Sequence, residues 1–256
     1  MGQFEQQVAC ITGGASGIGR ATALKFAKEG ANVVLVDCAQ EELVRVAEEI
    51  RSMGGEALAL AADVTSVTEC NNVFQRIDQQ FGRLDILVLC AGVLDYNRSV
   101  LHTDEALWDR TIAINQTGVF LYCREGLKRM ERQGAGKIVI VSSMAGVSAN
   151  AGAAYTASKH AVIALAKNIA IQYAGTGIRC NVVCPGRTDT PMNRSMEYFK
   201  QMDHEFMDIC GRHTRRLPEK IPAEGQADVI LFFASDASRH VNGQWLIVDD
   251  GSSKHL

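Results

Sequence analysis

Three residues in the middle of the chain have the side chains and the spacing to move a proton to or from an oxygen atom: Ser143, Tyr155 and Lys159. Tyr155 and Lys159 are four positions apart, which on a helix places both side chains on one face, about one turn from each other. A phenol has an ordinary pKa of about 10, and a neighbouring ammonium lowers that pKa by favouring the phenolate. The pair therefore predicts a tyrosine that acts as a general acid or base near neutral pH.

Two predicted elements would position these side chains. Ser143 follows the apolar run 138–141, which is typical of a buried strand, and Tyr155 and Lys159 begin a mostly apolar helix that continues to residue 171. A hydroxyl at the end of that strand can hold a substrate oxygen during proton transfer. Because a tyrosine and a lysine four positions apart also occur together by chance in many helices, the prediction depends on the rest of the chain.

A glycine-rich loop near the N-terminus provides the context for a cofactor. The apolar run 8–11 is followed by the sequence Thr-Gly-Gly-Ala-Ser-Gly-Ile-Gly at 12–19 and then by a helical pattern. Between a strand and a helix, such a loop lets the backbone approach a pyrophosphate, whose charge then faces the helix N-terminus. Gly13, Gly17 and Gly19 are the candidates for this contact.

The next predicted strand, 32–36, ends on Asp37. A carboxylate at this place can accept hydrogen bonds from both hydroxyls of an adenosine ribose. It would repel a 2′-phosphate, and the next residues, Cys38 and Ala39, include no arginine that would attract one. The sequence therefore favours NAD over NADP, although Asp37 could instead only cap the following helix.

Strands and helices alternate along the whole chain, with short turns and without linkers. This pattern predicts an α/β fold, a doubly wound parallel sheet covered by helices on both faces, in one domain over residues 1–256. One predicted helix carries Asn115 on an otherwise apolar face, where an amide is either a structural hydrogen bonder or part of a polar site.

Residues 187–221 break the alternation and are rich in methionine and aromatic residues. They suggest an adaptable apolar lid over a ligand, or else a surface helix pair that packs on the core or on another subunit. The segment also contains the basic residues Arg212, His213, Arg215 and Arg216, which form either a solvated face or a contact for an anionic part of the substrate.

Composition narrows the class of protein. The chain has 256 residues, of which 47% are hydrophobic, and a net charge of −3. This charge gives no reason to expect nucleic acid or an anionic membrane as partner. The eight cysteines are scattered and several lie in apolar runs, so we expect free thiols and no metal site. No leader and no membrane span is recognised, and a cytoplasmic location is expected.

Together with Asp63, Asn115 and Pro185-Gly186, these motifs in this order resemble the short-chain dehydrogenase/reductase family from about residue 5 to 252. The resemblance implies a Rossmann-like fold with about seven strands, a nicotinamide dinucleotide cofactor and, usually, a homotetramer. The cofactor-binding residues that it implies are Gly13, Ser16, Gly17, Ile18, Gly19, Asp37, Asp63, Val64, Ala91, Gly92, Tyr155, Lys159, Pro185, Gly186, Thr188 and Thr190.

The same resemblance assigns catalytic roles. Tyr155 would exchange the proton, and Lys159 would lower the pKa of Tyr155 and bind the nicotinamide ribose. Ser143 would orient the substrate oxygen, and Asn115 would hold a water that passes the proton onward. The sequence departs from the family where Leu89-Cys90 stands in place of two asparagines, whose hydrogen bonds must be replaced.

These expectations point to an NAD-dependent oxidoreductase for a secondary alcohol or ketone, with a hydroxysteroid or similar bulky apolar molecule as the first candidate substrate. A 3-oxoacyl-thioester reductase is the second reading, although such reductases commonly use NADPH, which disagrees with Asp37. Sugar alcohols and cyclic diols remain open. A dinucleotide-binding regulator without catalysis is the alternative from another class.

Overall fold

A parallel sheet forms the centre of the computed structural model, which describes residues 2–193, 196–212 and 220–252. Its strands are β1 (Val8–Thr12), β2 (Asn32–Asp37), β3 (Ala57–Ala61), β4 (Ile86–Leu89), β5 (Gly136–Val141), β6 (Ile178–Pro185) and β9 (Trp245–Val248). Two short strands that come between β6 and β9 in the chain, β7 (Thr188–Asp189) and β8 (Ile221–Pro222), form a separate sheet. The seven strands of the sheet lie in the order β3-β2-β1-β4-β5-β6-β9 and all their pairings are parallel. The prediction of a doubly wound parallel sheet of about seven strands is confirmed.

Helices cover both faces of the sheet. They are α1 (Gly17–Lys28), α2 (Gln40–Ser52), α3 (Val67–Phe81), α4 (Glu105–Ile112), α5 (Val119–Gln133), α6 (Ala153–Gln172), α7 (Met196–Gln201), α8 (His204–Arg212) and α9 (Ala223–Ala234). Side chains of α1, α2 and α9 pack in one apolar core, and those of α3, α5 and α6 pack in a second core on the opposite face. Because both faces are covered, β1, β2 and β4 are built from continuous apolar runs.

Local sequence explains where helices begin and end. Ser66 caps α3 by accepting a hydrogen bond from the amide of Glu69, and Gly82 ends α3 in the left-handed conformation. Between α4 and α5 the chain forms one π-helical segment over Ala113–Gly118. A π-helical turn inside a helix often marks a functional site, and this one contains Asn115.

The strand order reverses between β1 and β4. On one side of this point, β2 and β3 follow outward, and on the other side β5, β6 and β9 follow. In such sheets a ligand binds in the crevice outside the carboxyl ends of the strands at the reversal. Here that crevice lies between the glycine loop after β1 and the segment Cys90–Gly92 after β4.

The segment predicted as a lid begins and ends in a small sheet of its own. β7 and β8 pair in parallel and bring residues 188–189 next to 221–222. Between them, α7 and α8 lie near a loop that follows β4: Asp203, just before α8, accepts a hydrogen bond from the amide of Ser99 and lies 2.8 Å from Nδ1 of His102. Of the predicted basic cluster, Arg212 ends α8, and His213, Arg215 and Arg216 lie outside the described residues.

Candidate active site

A cavity of about 800 Å³ opens at the carboxyl ends of the strands. It is lined by every residue that the sequence predicts for cofactor binding: Gly13, Ser16, Gly17, Ile18, Gly19, Asp37, Asp63, Val64, Ala91, Gly92, Tyr155, Lys159, Pro185, Gly186, Thr188 and Thr190. Ser143 lines the same cavity, whereas Asn115 does not. Residues that are far apart in the chain therefore meet in one place, because most of them lie at or beyond the carboxyl ends of strands of the parallel sheet.

The glycine loop fits a pyrophosphate. Gly13 has a φ of 69°, a left-handed conformation that favours glycine, and a Cβ there would lie 2.8 Å from the amide nitrogen of Ala91. A Cβ at Gly19 would overlap the carbonyl oxygen of Gly13. The loop thus brings bare backbone to the cavity wall at the start of α1, where the helix dipole favours an anion. This cradle suits the nicotinamide dinucleotide that the sequence predicts.

Asp37 lies at the end of β2 and is held from two sides. Oδ2 accepts a hydrogen bond from the amide of Ala15 at 3.1 Å, and Oδ1 accepts one from the amide of Ala39 at 3.0 Å. The second bond is made to the N-cap residue of α2, and no side chain caps that helix. The half-buried carboxylate also lines the cavity and, since each carboxylate oxygen has a further lone pair, it retains acceptors for ribose hydroxyls.

The residues with the predicted proton chemistry meet at one end of the cavity. The hydroxyl of Ser143 is hydrogen-bonded to the phenol of Tyr155, and Nζ of Lys159 lies 5.6 Å from the centre of the Tyr155 ring. The neighbouring Ser142 is buried and donates its hydroxyl hydrogen to the carbonyl of Lys159. Ser143, and not Ser142, is therefore the serine next to the phenol.

Burial is the main cause of the pKa shifts of Tyr155 and Lys159. It raises the pKa of Tyr155 to about 12, a rise that the Asp95 charge supports and the hydrogen bond with Ser143 opposes. Burial also lowers the pKa of Lys159 to about 8. The net shift of the Tyr155 pKa is upward because loss of solvent raises it, and the ammonium of Lys159 donates to the carbonyl of Val141 at 3.1 Å.

The amide of Asn115 is fully buried and fully paired. Oδ1 accepts a hydrogen bond from the amide of Val93, and Nδ2 donates to the carbonyl of Val93 and to the hydroxyl of Ser158. Both amide hydrogens are thus used. Asn115 therefore ties the segment after β4 to Ser158 of α6, the residue directly before Lys159. A structural hydrogen bonder is one of the two roles that the sequence left open for Asn115.

Thr12 holds the carboxyl end of β4, where the sequence has Leu89-Cys90. Leu89 is buried in the core, and Cys90 lines the cavity near Lys159. The amide of Cys90 donates to the carbonyl of Thr12, and the amide of Ala91 donates to the Thr12 hydroxyl at 3.3 Å. Thr12 at the end of β1 therefore supplies hydrogen bonds to the segment after β4.

The remaining wall of the cavity was predicted only in the part that the lid segment supplies. It carries mostly apolar and aromatic side chains, together with one amide and two arginines: Val93, Leu94, Tyr96, Met144, Met192, Tyr198, Asn150, Arg110 and Arg187. The first three follow β4 directly, so the rule that ligands bind beyond the carboxyl ends of strands would have found them. Met192 and Tyr198 come from the predicted lid segment.

Over residues 2–193, 196–212 and 220–252, histidine, cysteine, aspartate and glutamate side chains form no group of three or more that could hold a metal ion. Within the same ranges, none of the helices has both the length and the apolar character of a membrane span.

Comparison with known proteins identifies the family. Residues 7–201 match the family model of the short chain dehydrogenases. The chain belongs to the short-chain dehydrogenase/reductase family, as its motifs predict, and this family of oxidoreductases uses nicotinamide dinucleotide cofactors.

Individual relatives cover almost the whole chain. A 3beta-hydroxysteroid dehydrogenase of Mediterraneibacter gnavus is 37% identical over 98% of this chain and 96% of its own length. A 3-oxoacyl-[acyl-carrier-protein] reductase of Thermotoga maritima is 36% identical over 97% of this chain and 98% of its own length. Among solved structures, a short chain dehydrogenase from Mycobacterium paratuberculosis bound to NAD has a TM-score of 0.90, with 31% identity and coverage of 99% of this chain and 100% of that one.

Proposed function

We propose that the protein is an NAD-dependent oxidoreductase that interconverts a secondary alcohol and a ketone on a bulky apolar substrate such as a hydroxysteroid. The observation that carries this proposal is that Ser143, Tyr155 and Lys159 line the same cavity as the glycine cradle and Asp37. The proposal therefore rests on one continuous site and not on separate motifs.

Tyr155 exchanges the proton with the substrate oxygen. Because its pKa is about 12, the phenol is protonated at neutral pH and is ready to donate to a carbonyl that is being reduced. For alcohol oxidation the phenol must first lose its proton, so this direction gains from high pH. Ser143, hydrogen-bonded to the phenol, holds the substrate oxygen next to it.

Lys159 stabilises the charge that forms when Tyr155 gives up its proton. With a pKa of about 8 the buried amine is mostly charged at neutral pH, and a cation close to a phenolate favours it. Asn115 keeps Val93 and Ser158 in place around this pair.

The cofactor supplies hydride chemistry at nicotinamide C4 when it is bound. Gly13, Gly17 and Gly19 would hold its pyrophosphate. Asp37 would accept the ribose hydroxyls, and its charge is the reason to propose NAD in place of NADP. Asp63 and Val64 line the cavity where the adenine would lie, and Thr188 and Thr190 line the same cavity.

The substrate class follows from the cavity wall and from a relative. Leu94, Tyr96, Met144, Met192 and Tyr198 make a wall that suits a rigid apolar ring system. The similar 3beta-hydroxysteroid dehydrogenase supports the same class. The similar 3-oxoacyl reductase favours a second candidate, the reduction of a 3-oxoacyl thioester, against which the charge of Asp37 counts.

A substrate panel tests this proposal. Hydroxysteroids, bile acids, sugar alcohols, cyclic diols and 3-hydroxyacyl thioesters would each be incubated with NAD and with NADP, and the reduced nicotinamide followed by its absorbance. We expect the strongest signal with NAD and a hydroxysteroid. A signal only with thioesters and NADP would support the second candidate. Tight NAD binding without turnover on any compound would indicate a regulator.

We also propose that the protein assembles as a homotetramer. Large apolar side chains are exposed on two separate parts of the surface: Trp108 and Phe120 on α4 and α5, and Trp245 and Leu246 on β9 at the sheet edge. Two self-complementary faces are what a tetramer with two-fold axes needs. Light scattering should give the mass of four chains of 27.8 kDa, and a monomer mass at micromolar concentration would contradict the proposal.

A further inference from the structure

A buried carboxylate with no assigned role lies under the first turn of α6. Asp95 has no exposed surface and follows β4 by six residues. Its Oδ2 accepts a hydrogen bond from the amide of Tyr155 at 2.8 Å, and its Oδ1 accepts one from the amide of Asn97 at 3.2 Å. One side chain therefore holds the backbone of the catalytic tyrosine and the backbone of a loop on the cavity wall.

The packing around Asp95 leaves its carboxylate no freedom. A Cβ at Gly152 would overlap both carboxylate oxygens, so this position needs a residue without a side chain. Two backbone hydrogen bonds reinforce the contact: the amide of Arg98 donates to the carbonyl of Asp95, and the amide of Ala153 donates to the carbonyl of Arg98. The loop and the start of α6 are thus joined as one unit.

The loop that Asp95 holds is strained and touches the lid. Tyr96 and Asn97 have φ values of 56° and 50°, a conformation that costs free energy for residues other than glycine and that clusters at functional sites. Tyr96 lines the cavity, and Nδ2 of Asn97 donates to the hydroxyl of Tyr198 in α7. The carbonyl of Tyr96 also accepts a hydrogen bond from the amide of Asp203 before α8.

We propose that Asp95 is a positioning residue that sets the place of the catalytic tyrosine and of the substrate lid through one buried carboxylate. The inference rests on the proposed role of Tyr155 as the proton-transferring residue. It adds a coupling: movement of the loop that docks the lid is transmitted through Asp95 to the backbone of Tyr155, because both amides share this acceptor.

Because Asp95 carries a charge, the coupling should affect the pH dependence of alcohol oxidation. Asp95 below α6 acts on Tyr155, and the other titratable groups near Tyr155 are Lys159 on α6 and Tyr198 on α7. Cys90 and Cys184 act on Lys159, and Arg187 also lines the cavity. Asp95 raises the pKa of Tyr155, so removing its charge lowers that pKa. The rise of alcohol oxidation with pH should then occur at lower pH.

Two variants separate charge from geometry. Asp95→Asn keeps the shape but removes the charge and one of the two acceptors, whereas Gly152→Ala keeps the charge and displaces the carboxylate. Asp104→Ala is the matched control, because Asp104 is an exposed aspartate that caps α4 by accepting a hydrogen bond from the amide of Leu107. Each would be compared with the unchanged chain on the best substrate of the panel.

We expect both test variants to lower kcat by about tenfold to a hundredfold, because small displacements of a catalytic group are costly. KM for the bulky substrate should rise through the loosened loop, and the dissociation constant of NAD should stay unchanged. Only Asp95→Asn should move the pH profile of oxidation to lower pH. Amide hydrogen exchange should show faster exchange at Tyr155 and Asn97 in Asp95→Asn, and at Leu107 alone in the control.

The outcomes distinguish this inference from the proposed function. Faster exchange in Asp95→Asn with an unchanged kcat and pH profile would mean that Asp95 is only a helix cap, and the inference would be overturned. Unchanged exchange at Tyr155 and Asn97 would overturn it as well. Absence of turnover in the unchanged chain would contradict the proposed function instead, and the exchange measurement would then still decide whether Asp95 holds both segments.

Discussion

With phenylalanine in place of Tyr155, we expect turnover to fall by about a hundred- to ten-thousandfold, the usual contribution of a positioned general acid or base. The substitution removes one hydroxyl and its hydrogen bond with Ser143 but keeps the ring in its packing. Lys159 and the glycine cradle are unchanged, so the affinity for NAD should stay near that of the unchanged chain. Steady-state kinetics and calorimetric titration with NAD measure the two effects separately.

The pH dependence gives the same experiment a second readout. Since burial raises the pKa of Tyr155 to about 12, the phenol of the unchanged chain is protonated throughout the neutral range. Ketone reduction should therefore hardly change between pH 6 and 8 on account of this group, and alcohol oxidation should rise as the pH increases. Any residual turnover of Tyr155→Phe should lose this rise.

A matched control uses another tyrosine. The hydroxyl of Tyr173 is hydrogen-bonded to Glu131, and this residue does not line the cavity. Tyr173→Phe removes a phenol from the same helical layer and should leave kcat unchanged. If Tyr155→Phe retains most of the turnover, the proton comes from another group and the proposed mechanism is wrong.

Replacing Asp37 with alanine should reverse the choice of cofactor. A hydrogen bond to a charged group contributes about 1.5–3 kcal/mol, so loss of the acceptors for the ribose should weaken NAD binding by about tenfold to a hundredfold. NADP should bind as well as before or better, because the carboxylate that repels its 2′-phosphate is gone. Direct titration of the protein with each cofactor measures this without any substrate.

The control for Asp37 is another carboxylate of the same cavity. Asp63 lines the cavity after β3 and accepts hydrogen bonds from the amide and the hydroxyl of Thr65. Asp63→Ala should weaken NAD and NADP to the same degree, because neither cofactor presents a different group there. Equal losses for both cofactors in Asp37→Ala would show that Asp37 acts only on the backbone of Ala15 and Ala39.

Much of the fold and of the site could be predicted from the sequence, because strands, helices and glycine turns depend mainly on residues that are close in the chain. Continuous apolar runs separated by amphipathic helices imply a parallel sheet with two covered faces, and the sheet is present. Glycines between a strand and a helix imply an anion cradle, and Gly13 and Gly19 lie where a side chain would collide with backbone. Motifs at strand ends imply one shared crevice, since the carboxyl ends of parallel strands lie at one edge.

Only the tertiary structure decided the pKa of Tyr155 and the hydrogen-bond partners of Asn115, because both depend on burial and on contacts between distant segments. Spacing alone suggested that Lys159 lowers the pKa of Tyr155, but the net shift is upward because both groups leave solvent, which no local pattern reports. Spacing also left the role of Asn115 open, and its amide turned out to be fully used by Val93 and Ser158.

The sequence by itself determined the sheet and the residues that could exchange a proton or cradle a pyrophosphate, since these follow from residue types and periodicity. The family followed from the resemblance of the motifs taken together. The buried Asp95 carried no such signal, because its neighbours Tyr155, Gly152 and Asn97 come together only in the folded chain. The shape of the substrate wall likewise depends on how the loop after β4 meets α7. Long-range packing, and not local pattern, decides those contacts.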